Sequence, residues 1–222
     1  ERLQTEERLR AAEERYRGIF ENSVEGIFQT TPAGRFLAAN PALARMFGYA
    51  SAEELMASVT DVGQQLYADP ADRLAFMQAL QRDGAVSAFE CRMRRRDGST
   101  FWLSMNARAV REEEGRLVRY EGLVQDITEH RAAEEARAIL ASIVQSSQDA
   151  IISEALDGTI LTWNRGAEEM YGYSARDAVG RPITILVPPS KAEEIAGILA
   201  AVGRGERVTN LETVRRRKNG EL

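Results

Sequence analysis

One stretch of this chain occurs twice. Displaced by 124 residues, IFENSVEGIFQTTPAGRFLAANPALARMFGYASAEEL (19–55) lies without a gap on IVQSSQDAIISEALDGTILTWNRGAEEMYGYSARDAV (143–179), with nine of 37 positions identical. The identities include Gly34/Gly158, Asn40/Asn164, Met46/Met170 and the Gly48-Tyr49/Gly172-Tyr173 pairs, while Phe28/Ile152 and Phe36/Ile160 keep their apolar character. Further on, FECRMRRRDG (89–98) returns as LETVRRRKNG (211–220), now displaced by 122. A period this long means two copies of a whole domain, not a solenoid of short units. The length of 222 residues suits two domains of about 100 residues each.

Each copy can be read locally. GIFQTT, a turn at Pro32-Ala33-Gly34 and then RFLAA predict a β-hairpin, and Leu156-Asp157-Gly158 supplies the same turn in copy two. Asn40 and Asn164 stand where a helix N-cap belongs, and Gly48 and Gly172 where those helices end. SAEEL and SARDAV restart a short helix, and Asp69-Pro70 opens a longer one that runs to Gly84. Phe89, Cys91 and Met93 alternate with Glu90, Arg92 and Arg94, a half-buried strand. The Asp97-Gly98 turn leads into STFWLSMNARAVR (99–111), and LVRYEGLVQD (117–126) follows. The order is two strands, several short helices and three strands, which predicts an α+β unit with helices on one face of an antiparallel sheet of about five strands.

In both copies this arrangement resembles the PAS domain family. The resemblance rests on the FENSVEGIF and VQSSQDAII openings, the AN and WN helix starts, the MFGY and MYGY turns, the RRRDGSTFWL hairpin and the YEGLVQDITEHR exit. It covers nearly the whole chain and implies an N-terminal amphipathic helix at 1–17, a first domain at 18–128, a helical linker at 129–141 and a second domain at 142–222. In copy one, 28 residues (Ser99 to Asp126) follow the RRRDG turn, whereas the chain runs only two residues past Asn219-Gly220. Copy two is therefore expected to lack its last two strands here and to leave the strand beginning near Val208 with an unpaired edge. The chain opens on Glu1 with no signal peptide, which fits an excised piece of a longer protein.

The connectors carry an apolar rhythm. Leu9, Ala12, Tyr16 and Ile19, and again Ala132, Ala136, Ile139 and Ile143, recur at spacings of three and four, as along one seam of a coiled coil. These helices either pair between subunits of a homodimer or pack as solvated amphipathic helices on their own sheet. Asp126 with Glu129 resembles a capping box that starts the second of them.

Several function classes fall away. One histidine, His130, and one cysteine, Cys91, exclude a histidine metal cluster and an internal disulfide, and no phosphate-binding glycine loop occurs. The net charge of −5 gives no pull toward nucleic acid. The basic runs Arg94-Arg95-Arg96 and Arg215-Arg216-Arg217-Lys218 lack interleaved aromatics and read as solvated hairpin tips or a partner-facing edge. No run of about 18 apolar residues is long enough to span a membrane.

PAS domains commonly hold a small molecule between sheet and helices. The resemblance implies that haem would need a histidine on the long helix, and neither DPADRLAFMQAL nor KAEEIAGILAAVGRG has one. A photoactive flavin adduct would need a cysteine on the preceding short helix, which is also missing, and Gln125 stands one residue before Asp126 instead of two, on the opposite face. Noncovalent flavin or another small metabolite stays open. Phe36, Met46, Phe76, Phe89, Cys91 and Leu103 are the cleft candidates of copy one; in copy two Trp163 and Asn164 resemble residues of some flavin-binding members. Either copy can equally have a cleft filled by its own side chains. Asp126, Ile127 and Thr128 form the expected signal-exit turn. The whole implies a non-catalytic, cytoplasmic sensory relay whose output, a histidine kinase or diguanylate cyclase, lies in the same chain; the alternative is a ligand-free dimerisation and protein-interaction scaffold.

Overall fold

The computed structural model describes residues 2–222; the side chains of residues 2–6 and of Leu9, one member of the expected N-terminal seam, lie outside the described set. The chain divides into two compact units that meet at Ala133/Glu134.

The first unit opens with α1 (Arg2–Asn22) and the hairpin β1 (Gly26–Thr30) and β2 (Phe36–Ala39). Gly34 makes the tight turn at φ 81°, a left-handed conformation open to glycine. Four helices follow: α2 (Pro41–Met46), α3 (Ala52–Ser58), α4 (Val62–Gln65) and α5 (Pro70–Asp83). Asn40, Ser51, Asp61 and Asp69 each accept a first-turn N–H from their helix, and Pro41 and Pro70 occupy positions whose own N–H would have no partner. Helix α4 had no clear signature in the sequence; it exists because Asp61 caps the amides of Gly63 and Gln64.

Strands β3 (Ala85–Arg94), β4 (Thr100–Arg111) and β5 (Leu117–Asp126) complete an antiparallel sheet in the order β2-β1-β5-β4-β3. Strand β3 starts four residues before the alternation at Phe89 suggested. A bulge between Val86 and Phe89 interrupts the pattern, with Ala88 at φ 49° and its N–H donated to Asn106 Oδ1 at 2.9 Å. On β4, Phe101, Leu103, Met105 and Ala107 point into the core and Trp102, Ser104, Asn106 and Arg108 point away. The inward row packs against Leu43, Phe47, Leu55, Phe76 and Leu80 of the helices. Burying each such large apolar side chain contributes about 2 kcal/mol, which holds helices this short onto the sheet.

Helix α6 (Thr128–Ser146) leads into the second unit: β6 (Ile152–Glu154), β7 (Ile160–Trp163), α7 (Arg165–Tyr171), α8 (Ala175–Ala178), single 3-10 turns at Ile183–Leu186 and Pro189–Lys191, and α9 (Ala192–Gly203). The early local logic of copy one recurs, with Asn164 and Ser174 as N-caps and Gly172 left-handed at φ 76°. Its core gathers Ile160, Trp163, Ala167, Ile185, Leu186 and Ile195.

The strand expected from Val208 does not form; residues 206–222 hold neither helix nor strand, so no open strand edge stands there. A strand is defined by its ladder, and this segment pairs with no neighbouring strand. It nevertheless docks in the register of copy one. Arg216 N donates to Leu186 O, Arg217 N to Glu221 O and Lys218 N to Tyr171 O, at 2.7, 2.8 and 2.9 Å, matching Arg94 to Leu66, Arg95 to Ser99 and Arg96 to Phe47. No described helix is long and apolar enough to cross a membrane.

Candidate functional site

Between the first unit's sheet and its helices lies a cavity of about 40 Å³, walled mainly by Phe36, Leu43, Phe76, Met93, Leu103 and Met105. Three of the expected cleft residues, Phe36, Phe76 and Leu103, line it. The other three do not. Phe89 packs its ring 5.4 Å from that of Phe76, Met46 sits at the end of α2, and Cys91 is sealed in the core. Alternation places a residue on a face but does not say what covers it there: Cys91 and Phe89 stand opposite the lining residues Leu103 and Met105 in the strand register, yet neighbouring side chains close over them. Burial pushes the Cys91 thiol up to about 12, so it stays protonated and inert. Only one charged side chain lines the cavity, Arg73 of α5, with the buried Tyr67 beside it.

The residues singled out in copy two prove to be structural. Trp163 is buried and donates Nε1 to Tyr173 O at 3.0 Å. Asn164 is 1% exposed: its Oδ1 accepts from Ile151 N and Ala167 N, and its Nδ2 donates to Val144 O and Asp149 O. The amide has no capacity left for a ligand.

The exit turn is a closed network. Asp126 Oδ1 accepts the N–H of Thr128 at 2.9 Å, so it caps that residue and not Glu129, and the expected capping box is replaced by a tighter Asx turn. Thr128 Oγ1 accepts from Trp102 N at 3.0 Å while Ile127 N donates to Trp102 O at 2.9 Å, which fixes the start of α6 to the beginning of β4. Asp126 Oδ2 pairs with Arg95 Nη2 at 2.7 Å. Burial alone would raise the Asp126 carboxyl, but the Thr128 hydrogen bonds and the Arg95 guanidinium outweigh it and hold the group below the usual carboxylate range. One turn into α6, Arg131 stacks 3.8 Å from the Trp102 ring and pairs with Glu90 at 2.7 Å.

Within the first basic run Arg94 and Arg96 are exposed, as a solvated tip requires, but Arg95 departs from that reading. Arg95 is 26% exposed, lies 4.0 Å over the Phe101 ring and donates Nη1 to the carbonyl of Met46, joining the end of α2 to the exit turn. Arg96 pairs with Glu54 at 2.5 Å and Lys218 with Asp177 at 2.9 Å. In the second unit Arg215 bonds Glu194 at 2.9 Å; hydrogen bonds from Thr213, Lys191 and Arg215 lower that carboxyl to about 2. A sign of the Arg95 role was available in the sequence, since Arg95 continues the inward parity of Cys91 and Met93. Among the described residues no group of His, Cys, Asp or Glu can hold a metal ion.

Set beside known families, residues 24–129 match the PAS domain and residues 138–222 the PAS fold. The sensor histidine kinase TmoS of Ectopseudomonas mendocina is 30% identical over 153 residues, 66% of this chain and 15% of that protein. The sensor protein FixL of Bradyrhizobium diazoefficiens is 31% identical over 91 residues, 39% of this chain and 18% of that protein. The chain thus spans less than a fifth of the length of these relatives. Among solved structures, a sensory box histidine kinase/response regulator from Burkholderia thailandensis is similar at TM-score 0.46 and 22% identity, over 60% of this chain and 99% of that one. With its internal repeat, its helix-covered five-stranded sheet and both copies matched in turn, the chain belongs to the PAS domain family, whose members are sensory and not catalytic modules.

Proposed function

We propose that these residues are the sensory and relay region of a multidomain cytoplasmic signalling protein. On this reading the first domain detects a small ligand in its cleft, and its exit turn passes the change through α6 to the second domain and on to an output domain outside these residues. The Arg95 bridge carries the proposal: one guanidinium holds the end of α2, which packs over the cleft, and the carboxylate from which α6 starts. A ligand that repacks the helices would alter the geometry of that bridge, and with it the angle or register at which α6 leaves the sheet. Such coupling needs two arrangements of similar energy that the ligand binds differently. The name of TmoS, a sensor histidine kinase, favours a histidine kinase output over a diguanylate cyclase. Ile139, Leu140 and Ile143 are each more than half exposed on α6, which suits pairing with α6 of a second copy. The test is to replace Asp126 and Thr128 together by alanine in the parent protein and measure output with and without stimulus; unchanged regulation would sink the relay.

The small cavity favours a second reading, a ligand-free dimerisation scaffold. Native mass spectrometry separates the two, since a sensor carries or accepts a small molecule and a scaffold reports only its oligomeric state.

A further inference from the structure

The cleft of the first domain has one cation and an otherwise apolar or neutral lining. Arg73 projects from the first turn of α5 and is half-buried, its guanidinium carbon 5.5 Å from the centre of the Tyr67 ring and 5.8 Å from that of Phe76. Gly63 makes room for it: a Cβ there would lie 3.2 Å from Arg73 Nε. Arg95, Arg96, Arg108, Arg119 and Arg131 of the same domain are all paired with carboxylates. Arg73 is not; among the described residues no carboxylate stands within ion-pair distance of it. Asp61 Oδ1 accepts from Gly63 N and Gln64 N, and Asp72 faces Arg92 N at 3.5 Å. A guanidinium held in a slot by aromatic rings presents planar donors suited to a carboxylate. Burial pushes the Tyr67 phenol up, so that hydroxyl remains a donor at neutral pH.

We infer that the first-domain cleft takes a small organic monocarboxylate, its apolar body in the cavity beside Met93, Met105 and Phe76 and its carboxylate against Arg73. The inference rests on the sensory reading above and adds the chemical class of what is sensed. At about 40 Å³ the cavity has room for little more than a water-sized group, so an apolar body of several carbons enters by displacing Met93 and Met105. Methionine is the side chain best able to move, being unbranched and turning about three bonds. That displacement works directly on β3 and β4, the strands that carry Arg95 and Trp102 toward the exit turn.

Benzoate and its neutral analogue benzyl alcohol test this on the whole 222-residue chain. Methyl NMR signals of Leu103, Met93 and Met105 are followed during titration at pH 7. The expected result is saturable shifts from both, with benzoate binding at least tenfold more tightly, and with Arg73→Gln removing that advantage while leaving benzyl alcohol unchanged. Arg73→Lys should restore part of it. Equal binding of the two compounds by the unsubstituted chain overturns the carboxylate assignment while leaving an apolar-ligand sensor standing, and this comparison needs no variant to fold. Benzoate binding that Arg73→Gln leaves unaltered overturns the role of Arg73. Cavity methyls that respond to neither compound overturn both the inference and the sensory reading beneath it.

Discussion

Asn40 and Asn164 spend their side chains on the same four partners, 124 residues apart. Asn40 accepts from Ile27 N and Leu43 N and donates to Phe20 O and Glu25 O; Asn164 accepts from Ile151 N and Ala167 N and donates to Val144 O and Asp149 O. Each amide ties the last turn of the incoming helix to a strand and to the helix it caps. The repeat therefore conserves the attachment of helix to sheet, not merely a turn.

Asn40→Ala would leave two N–H and two C=O groups in or near the core without their partner. With about 1–3 kcal/mol for each buried group stranded, and water reaching some of them, the loss should be about 3 kcal/mol or more. It should fall on the first domain's transition in urea, while Asn164→Ala shifts only the second domain's. Hydrogen exchange at the Ile27 and Leu43 amides should accelerate in step. A uniform shift of both transitions by either variant would contradict two independently clamped units.

Asp126 makes the exit turn sensitive to acid. Its folded-state pKa lies below the ordinary 3.8, so the unfolded chain takes up that proton first as pH falls. The stabilisation is complete above the unfolded value and disappears as pH drops through the lowered one. Asp126→Asn should cost about 1.5–3 kcal/mol at pH 7, the range for a hydrogen bond to a charged group. The gap between the two proteins should then narrow as pH falls below about 5 and close as it drops through the lowered Asp126 value. Denaturant titrations at stepped pH provide the check, and a gap independent of pH would remove the ion pair from the account.

Gly122 sits in the middle of β5 with β1 on one side and β4 on the other. A Cβ there would lie 2.3 Å from the carbonyl oxygen of Asn106 and 3.0 Å from Ala107 Cα, both backbone atoms that cannot turn aside. Gly122→Ala should therefore destabilise the first domain by roughly 2–4 kcal/mol through displacement of β4, as read from its urea midpoint. A loss below about 0.5 kcal/mol would mean that the sheet relaxes at this point far more easily than its pairing suggests.

Where a residue's job is local, the sequence displayed it. Asn40, Ser51 and Asp69 cap helices because a short polar side chain followed by helix formers has little else to do, and all three were legible. Arg95 was legible only in its inward parity with Cys91 and Met93, against the rule that a basic run beside a turn is solvated; its burial depends on Phe101, Met46 and Asp126 arriving from three other elements. Cys91 and Phe89 share a face with Leu103 and stand level with Leu103 and Met105 in the register, yet they miss the cavity because helix side chains such as Phe76 pack over that end of the face, which strand alternation alone does not display. The strand expected near Val208 failed for the complementary reason: strand propensity needs a neighbour to pair with.

Cys91 offers a native reporter for the first domain. Its side chain is 1% exposed and its thiol is raised to about 12 by burial, so at pH 8 it is both inaccessible and almost wholly protonated. A thiol reagent such as N-ethylmaleimide should modify it only when β3 opens, at a rate set by the opening equilibrium multiplied by the rate for a free thiol. Because it is the chain's single cysteine, mass spectrometry of the intact protein reads the reaction without background. Asn40→Ala and Gly122→Ala should each speed modification by the factor corresponding to their loss of stability, about tenfold per 1.4 kcal/mol, whereas Asn164→Ala should leave it unchanged. Rapid labelling of the unsubstituted protein would show that β3 opens without unfolding the domain, and the strand would then belong to the moving part of the relay instead of its frame.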